Sequence, residues 1–409
     1  MTGLHRPVGT SPAGRRVRGL LVCDTYPPVL GGSEIEAQRV SAAMIRAGHH
    51  VQVLCSGGPP MPRQRDWIDD RGVPVRILTR NSRGRWKDIV FALAVARAIW
   101  KARRNYDVVY FLMQGLYVAA GLPAAHFLGV APVMKISGDG IISAMRRSAV
   151  GRFELSCLQK WGVPLMLLNE GMFQEAINSG FPRGQLVWMP NPVETEEFRP
   201  ANPEEIAFWR TSHDIPFGAL VTIYVGRLSQ EKGLIGLLRG FALAAKNESR
   251  ALLVLVGDGP QRAELERLAE ELIPGQRQIL FTGRIDVRQV PPWLGASDVF
   301  ALTSPNEGFP CALVEAMSAG IAPVVSDIPA NLQLVDNEVH GLTVGWDNEE
   351  AIGDAILRLY GDPGLRQSIG QRARQRVCDN YSTARIVDRY EALFAKAMGI
   401  GDHPLQSSE

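Results

Sequence analysis

Short runs rich in Val, Leu and Ile alternate along this chain with longer segments whose apolar positions recur at helical spacing. A run that is apolar at nearly every position needs cover on both sides, as in a parallel sheet with helices on either face. Runs at 17–23, 51–55, 107–111 and 132–136 are of this kind. Segments 33–47, 88–104 and 115–128 between them predict helices; in the first, Ile35, Val40, Met44 and Ile45 share a stripe and Gly48 supplies the stop. The second half repeats the scheme, with strands expected at 220–225, 251–256, 278–281, 298–302 and 322–325 and helices at 233–246 and 260–272, where Pro260 suits a helix start. Strand–helix–strand crossovers of this kind build right-handed parallel sheets. With 409 residues, two such blocks fit two doubly wound α/β domains better than one core. Pro190 and Pro192 interrupt any helix or central strand, so the first domain is expected over 1–190, a second over 191–365, and helices over 366–399.

Composition narrows the class. Apolar residues make up 46% and charged residues 21%, which excludes a disordered, collagen-like or coiled-coil chain. No uninterrupted apolar stretch reaches the roughly 18 residues of a spanning helix, and the arginine-rich start lacks the apolar core of a signal peptide. Five dispersed cysteines (23, 55, 157, 311 and 378), with no CxxC and no His at metal spacing, read as core hydrophobes in a reducing cytoplasm. The net charge of +2 hides an asymmetry: residues 1–190 hold 24 basic against 12 acidic side chains, while the rest hold 20 against 30. One half therefore faces something anionic, or simply carries solvated arginines.

In open parallel sheets ligands bind beyond the carboxyl ends of strands, and four loops fall there. In the first, Gly31 and Gly32 precede a helix whose amides suit an anion, though plain turn chemistry explains them equally. Neither GxGxxG nor GxxxxGK occurs in it. The second runs from Gly226 to Gly233 and sets Arg227 and Lys232 around one strand-to-helix turn, a fork and a point charge fit for a diphosphate. Pairing with Glu231 is the plainer alternative. The third, Gly257-Asp258-Gly259, is a weak signal. In the fourth, 304–320, Glu307 lies in the loop, Pro310 can open a helix, and Glu315 sits among Leu313, Val314 and Met317, where it needs a polar partner. Sugar or ribose hydroxyls would serve both carboxylates; two solvated glutamates are the alternative.

Taken in order, VGRLSQEKG, LVGDGP, FTGRI, ALTSPNEGFPCALVEAMSAG and PVVSD resemble the nucleotide-sugar domain of the family 4 retaining glycosyltransferases. PPVLGGSEIEAQRVSAAMIRAGHHVQVLC resembles that family's opening and MPNPVETEEFRP its interdomain segment, so the likeness runs from about 17 to 398. It implies a GT-B fold, two Rossmann-like parallel-sheet domains facing a central cleft: an N-terminal acceptor domain, a C-terminal donor domain, and a last helix crossing back to the first. By position, Arg227 and Lys232 match the pair on the donor diphosphate, Glu307 the sugar contact and Glu315 the ribose contact. Gly226 falls with the donor loop. Gly308, Phe309 and Pro310 would bring amides to sugar and phosphate, and Arg284 and Ile285 fall where the nucleobase is held. Gly31 and Gly32 match the loop over the phosphates, and Asn191 the hinge-side Asn-Pro motif. Many relatives carry a His after the strand at 132–136; here Lys135-Ile-Ser-Gly-Asp139-Gly stands instead, leaving Ser137 and Asp139, with Asp139 the candidate for donor-sugar or acceptor contact or else a turn residue. His49, His50, His126 and His340 form no substitute.

No Asp-x-Asp occurs, so the diphosphate is expected to be handled without metal or other cofactor, by Arg227, Lys232 and the helix start near Pro310. The resemblance implies transfer of a hexose-type sugar with retention, to a cell-envelope or exopolysaccharide glycan, expected to be lipid-linked. Arg80, Arg83, Arg85, Lys87, Arg97, Lys101, Arg103 and Arg104 surround a segment holding Trp86, Phe91, Ile99 and Trp100, which suits an anionic membrane surface or a solvated helix face. The chain is thus expected in the cytoplasm, peripheral on the inner face of the cell membrane. A sugar-nucleotide epimerase of the same architecture is the nearer alternative. A nucleic-acid-binding protein is the distant one, and no recognition motif supports it.

Overall fold

A computed structural model describes residues 16–29, 31–58, 60–80, 86–136, 138–275 and 278–400. The chain divides into two units, Met1–Pro192 with Thr383–Glu409, and Val193–Ser382.

Unit 1 holds β1 (Arg18–Val22), β2 (His50–Gly57), β3 (Asp66–Ile68), β4 (Pro74–Arg80), β5 (Val108–Leu112), β6 (Ala131–Lys135), β7 (Leu165–Leu167) and β8 (Leu186–Trp188). They form one sheet in the order β3-β4-β2-β1-β5-β6-β7-β8, parallel except for the β3–β4 pair. Successive side chains take opposite faces. Leu21, Val53 and Val75 join a core with Val40 and Met44 of the helix Gly32–Arg46, while Leu20 and Leu54 face the helix Trp86–Ala102. That second helix buries Phe91, Val95 and Ile99 at i, i+4 and i+8, so two of the four apolar residues expected at a membrane surface belong to the core instead. Trp86 and Trp100 remain outside.

Unit 2 holds β9 (Leu220–Val225), β10 (Ala251–Val256), β11 (Ile279–Gly283), β12 (Val299–Leu302), β13 (Ala322–Ser326) and β14 (Leu342–Val344), in the order β11-β10-β9-β12-β13-β14 and parallel throughout. Every residue of β10, β12 and β13 is buried, as continuous apolar runs require.

Two boundaries differ from expectation. The first division falls after Pro192 rather than 190, because Asn191 is held inside unit 1 by Lys135 Nζ, which donates to its side-chain oxygen at 2.8 Å. The helices expected over 366–399, with the last crossing back, begin slightly earlier: Pro363–Asn380 stays with unit 2 and Thr383–Ala397 belongs to unit 1. There Ile386, Val387, Tyr390, Leu393 and Phe394 join the core around Val40 and Met44, each worth about 1.5–3 kcal/mol by leaving water. A polar tie fixes the register. The Val17 amide donates to His49 Nδ1 at 3.0 Å, so the proton sits on Nε2, which donates to Glu391 Oε1 at 2.7 Å.

Glu154, on the helix Ala149–Lys160, is a poorly satisfied group of unit 1. It is buried, and neither carboxyl oxygen has a well-formed hydrogen bond among the described residues. Burial pushes this carboxyl up to about 8, the Gly115 amide offsetting part of the effect. The folded chain therefore keeps a proton that the unfolded chain releases in the ordinary glutamate range. The resulting stability is full at low pH and is lost as pH rises toward 8, at a slope of up to about 1.4 kcal/mol per pH unit. Urea unfolding from pH 5 to 9 should show a steeper loss for the natural chain than for Glu154→Gln; parallel curves would mean that the carboxyl is solvated.

Candidate functional site

Strand order decides where unit 2 can hold a ligand. The chain leaves β9 toward β10 and β11 on one side, then returns to place β12 on β9's other side. Loops departing in opposite directions from adjacent strands leave a crevice beyond their carboxyl ends. Those loops are 226–233, after β9, and 303–310, after β12.

Backbone contact holds them together. Gly233 has φ +65°, and a Cβ there would stand 2.3 Å from the Thr303 carbonyl oxygen. Gly257 has φ +136°, and its Cβ would stand 1.9 Å from the Gly226 oxygen. Only glycine tolerates both the conformation and the approach. The Leu228 amide donates to the Asp258 carbonyl and the Gln261 amide to the Leu228 carbonyl, both at 3.0 Å, which adds the loop after β10.

Across the crevice Lys232 Nζ donates to Glu307 Oε1 at 2.7 Å. Two of the proposed donor contacts, one from each loop, are thus brought together. Arg227 is 68% exposed and pairs with Glu231, the plainer arrangement its position allowed. Gly226 receives the Tyr224 hydroxyl nearby, which donates to the Arg227 carbonyl at 2.9 Å. Pro310 caps the helix Cys311–Ser318. Two amides expected to be open at its tip are used locally: Cys311 N–H donates to the Phe309 carbonyl at 2.9 Å and Leu313 N–H to the Pro310 carbonyl at 3.0 Å. The Phe309 ring lies 6.2 Å from Tyr381. Glu315, on that helix, and Gly308 are half-buried. Arg284 is exposed and Ile285 half-buried directly after β11.

The unit 1 candidates, Gly32 apart, are engaged within unit 1. Gly31 lies against the Glu34 side chain, and Glu34 also holds the Thr25 and Ser33 hydroxyls, so a carboxylate already occupies this helix start. Gly32 borders open space. Asp139 Oδ1 accepts from Asn169 Nδ2 at 3.0 Å while Asn169 Oδ1 caps the next helix. Burial raises the Asp139 carboxyl, with Asn169 opposing and Glu175 adding to the shift. Ser137, Arg83 and Arg85 lie outside the described residues. Among the described residues no group of three His, Cys, Asp or Glu side chains could hold a metal ion, and no helix is long and apolar enough to cross a membrane.

Sequence reasoning missed the supports. Ser326 Oγ donates to the Ser304 carbonyl at 2.5 Å, and Asn331 Nδ2 donates to the Ser326 carbonyl at 2.9 Å, bracing the 303–310 loop from behind. It also missed Lys135. That side chain is fully buried and pairs with Glu36 as well as Asn191, so Asn191 serves inside unit 1. A lysine closing an apolar strand was the available signal.

Family profiles match both units. "Glycosyl transferase 4-like domain" covers residues 31–192 and "Glycosyl transferases group 1" covers 205–376. A lipopolysaccharide core biosynthesis glycosyltransferase, LpsD of Rhizobium meliloti, is 31% identical over 49% of this chain and 55% of its own. An uncharacterized glycosyltransferase of Methanocaldococcus jannaschii is 29% identical over 91% of this chain and 96% of its own. The fold is similar to that of HepE from Anabaena in complex with UDP, at a TM-score of 0.78 and 18% identity over 93% of this chain and all of that one. With two parallel-sheet α/β units and both profiles in sequence, the chain belongs to the glycosyltransferases of GT-B fold, family 4 type. The match to LpsD spans about half of that relative's length.

Gly233→Ala meets a backbone oxygen as well as an unfavourable φ, whereas Gly275, at φ +63°, has open space around it. Denaturant titration should find Gly275→Ala costing about 1–2 kcal/mol and Gly233→Ala about 3 kcal/mol or more. Equal costs would mean that the two loops can part freely.

Proposed function

We propose that the protein transfers a hexose-type sugar from a nucleotide-diphosphate sugar to a cell-envelope or exopolysaccharide acceptor, lipid-linked, with retention and without metal. The observation that carries this reading is the Lys232–Glu307 pair across the strand-order reversal of unit 2, with Arg227 beside it.

Cleaving a sugar nucleotide gathers charge on the departing diphosphate and oxocarbenium character on the sugar. Preorganised cations that meet this charge lower the barrier. Lys232 in this role exchanges its carboxylate for a phosphate oxygen, which frees Glu307 to accept from a sugar hydroxyl. Arg227 moves at little cost, because an exposed ion pair is worth about 0–1 kcal/mol. Glu315 takes the ribose hydroxyls, Arg284 and Ile285 the base, and Gly226, Gly308, Phe309 and Pro310 the backbone contacts. The leaving phosphate then takes the acceptor's proton. Gly31, Gly32 and Asn191 keep their donor-side assignment only if Glu34 and Lys135 give way. Asp139 is assigned to the acceptor. UDP bound to HepE supports the donor class, and the lipopolysaccharide role named for LpsD supports a glycan acceptor.

Unit 1 takes the acceptor and meets an anionic membrane from the cytoplasmic side. Trp86, Ile89, Val90 and Leu93 stand exposed on successive turns of one helix, Trp86 at 71% and Leu93 at 65%, with Lys87 among them. Such a row suits the headgroup boundary.

Thermal shift against UDP, GDP and ADP should find one nucleotide that raises the melting temperature. Arg227→Ala and Lys232→Ala should each lower turnover about 100-fold or more without unfolding the chain. Near-normal rates in both, or an isomerised sugar nucleotide formed without acceptor, would overturn the reading. Flotation with anionic vesicles should succeed at low salt and fail for Leu93→Glu; equal flotation of the variant removes the membrane role.

A further inference from the structure

We propose that a groove on unit 1, between the Trp86–Ala102 helix and the β2–β4 side of the sheet, binds an extended anionic glycan chain through Arg65, Arg97 and Lys101. The proposal rests on the function proposed above, which supplies the glycan, but the groove is not where that function places its chemistry. It lies against Leu20 and Leu54 on the sheet's face, away from the loops that follow the strand ends.

Its volume is 690 Å³, within the roughly 300–1,000 Å³ of small-molecule sites. Ala94, Ala98 and Ala102 form one wall at intervals of four residues. At 1.5 Å per residue that wall is about 12 Å long, and side chains this small let a ligand approach the helix closely. Across from it stand Arg65 and the β3–β4 pair, where Arg76 is already matched to Asp66 at 2.5 Å.

The charge of the groove is uncompensated. The charged ends of Arg65, Arg97 and Lys101 have no hydrogen-bond or ion-pair partner among the described residues, although Arg18 and Arg76 of the same unit each hold a carboxylate. Arg97 and Lys101 are four apart on one helix, a spacing at which like charges repel and cost stability. An anion lying between them turns that cost into binding. The lower end adds Asn105 and Tyr106, whose hydroxyl donates to Gln52 at 2.9 Å, polar groups of the kind that receive sugar hydroxyls.

Shape selects the ligand. A flat bilayer cannot enter a concavity walled by a helix and a strand pair, whereas a single chain can. The lining has a single aromatic ring, Tyr106, whose hydroxyl is bonded to Gln52, and no row of rings on which successive nucleobases could stack. A linear glycan bearing repeated carboxylates or phosphates satisfies both the length and the charge.

Fluorescence anisotropy with a labelled hexauronate and with neutral maltohexaose tests this on the full chain. The uronate should bind, more weakly as salt rises, and the neutral sugar should bind at least about tenfold more weakly. Arg97→Glu and Lys101→Glu should each weaken uronate binding about tenfold or more. Ala98→Phe, which fills the groove and keeps every charge, should do the same, while Arg267→Glu on unit 2 should not. Equal binding of both sugars, or indifference to Ala98→Phe, would overturn the groove as the site. So would charge variants that lose only anionic vesicles, which would mark a membrane contact. Nucleotide thermal shifts on the same variants should be unchanged. A chain that takes hexauronate but no nucleotide would defeat the donor reading while leaving the groove standing.

Discussion

A parallel sheet covered on both faces leaves only the ends of its strands for polar chemistry. In unit 2 the apolar runs of β10, β12 and β13 are wholly buried, so no hydrophilic group can be presented from their faces without a desolvation cost. The reversal of strand order between β9 and β12 then selects one point along that edge. Lys232 and Glu307 meet there because the two loops cannot separate: Gly233 and Gly257 let one backbone lie against another where any side chain would intrude. The pair is a consequence of topology before it is a feature of chemistry.

Unit 1 uses its buried charge differently. Lys135 sits without solvent contact between Glu36 and Asn191, and the Tyr110 hydroxyl reaches the same Glu36 oxygen at 3.3 Å. Buried pairs of this kind add little net stability, since desolvation consumes most of the attraction, yet removing one partner costs about 3–5 kcal/mol. Their effect is to fix geometry. Glu36 comes from the first helix, Lys135 from the end of β6 and Asn191 from the segment after β8, so one ammonium sets the spacing of three distant stretches. Tyr390, on the last helix, stands 3.2 Å from the Tyr110 hydroxyl and extends the network into the returning segment.

Long apolar runs made most strands legible in the sequence, and the loops at their ends followed from the sheet type. The three-residue strands β3, β7, β8 and β14 were not legible, because so short a run carries no period, and neither was β4, whose seven residues mix Arg76, Thr79 and Arg80 with its apolar positions and are only partly buried. The division of the terminal helices came from the family resemblance alone: Thr383–Ala397 has the stripe of any surface helix, and nothing local says which core it joins. His49 illustrates the limit from the other side. A histidine ahead of a strand gives no sign that it will accept from Val17 and donate to a glutamate far along the chain. Within the site, residue types pointed to Lys232 and Glu307 separately, and their bond required the fold. The braces Ser326 and Asn331 bear on the site only through backbone carbonyls, which sequence patterns do not record.

Net charge and local charge pull in opposite directions here. Residues 191–409 carry ten more acidic than basic side chains, so the half that holds the donor candidates repels a diphosphate at a distance. That repulsion is short-ranged, since physiological salt screens exposed charges beyond about 8 Å. Paired carboxylates add nothing to that excess: Arg199 beside Glu205, Arg250 beside Glu248 and Arg288 beside Asp286 hold those carboxyls at about 2. What an anion would meet at the crevice is therefore set by the groups within a few ångströms, where Lys232 and Arg227 each stand beside a carboxylate, Glu307 and Glu231, that it would have to displace. Residues 1–190 keep an excess of twelve positive charges although Arg18, Arg76, Lys87 and Lys135 each stand beside a carboxylate, and the same screening confines that excess to its near surroundings. In both halves, then, which side chains stand paired bears on local recognition more than the net charge does.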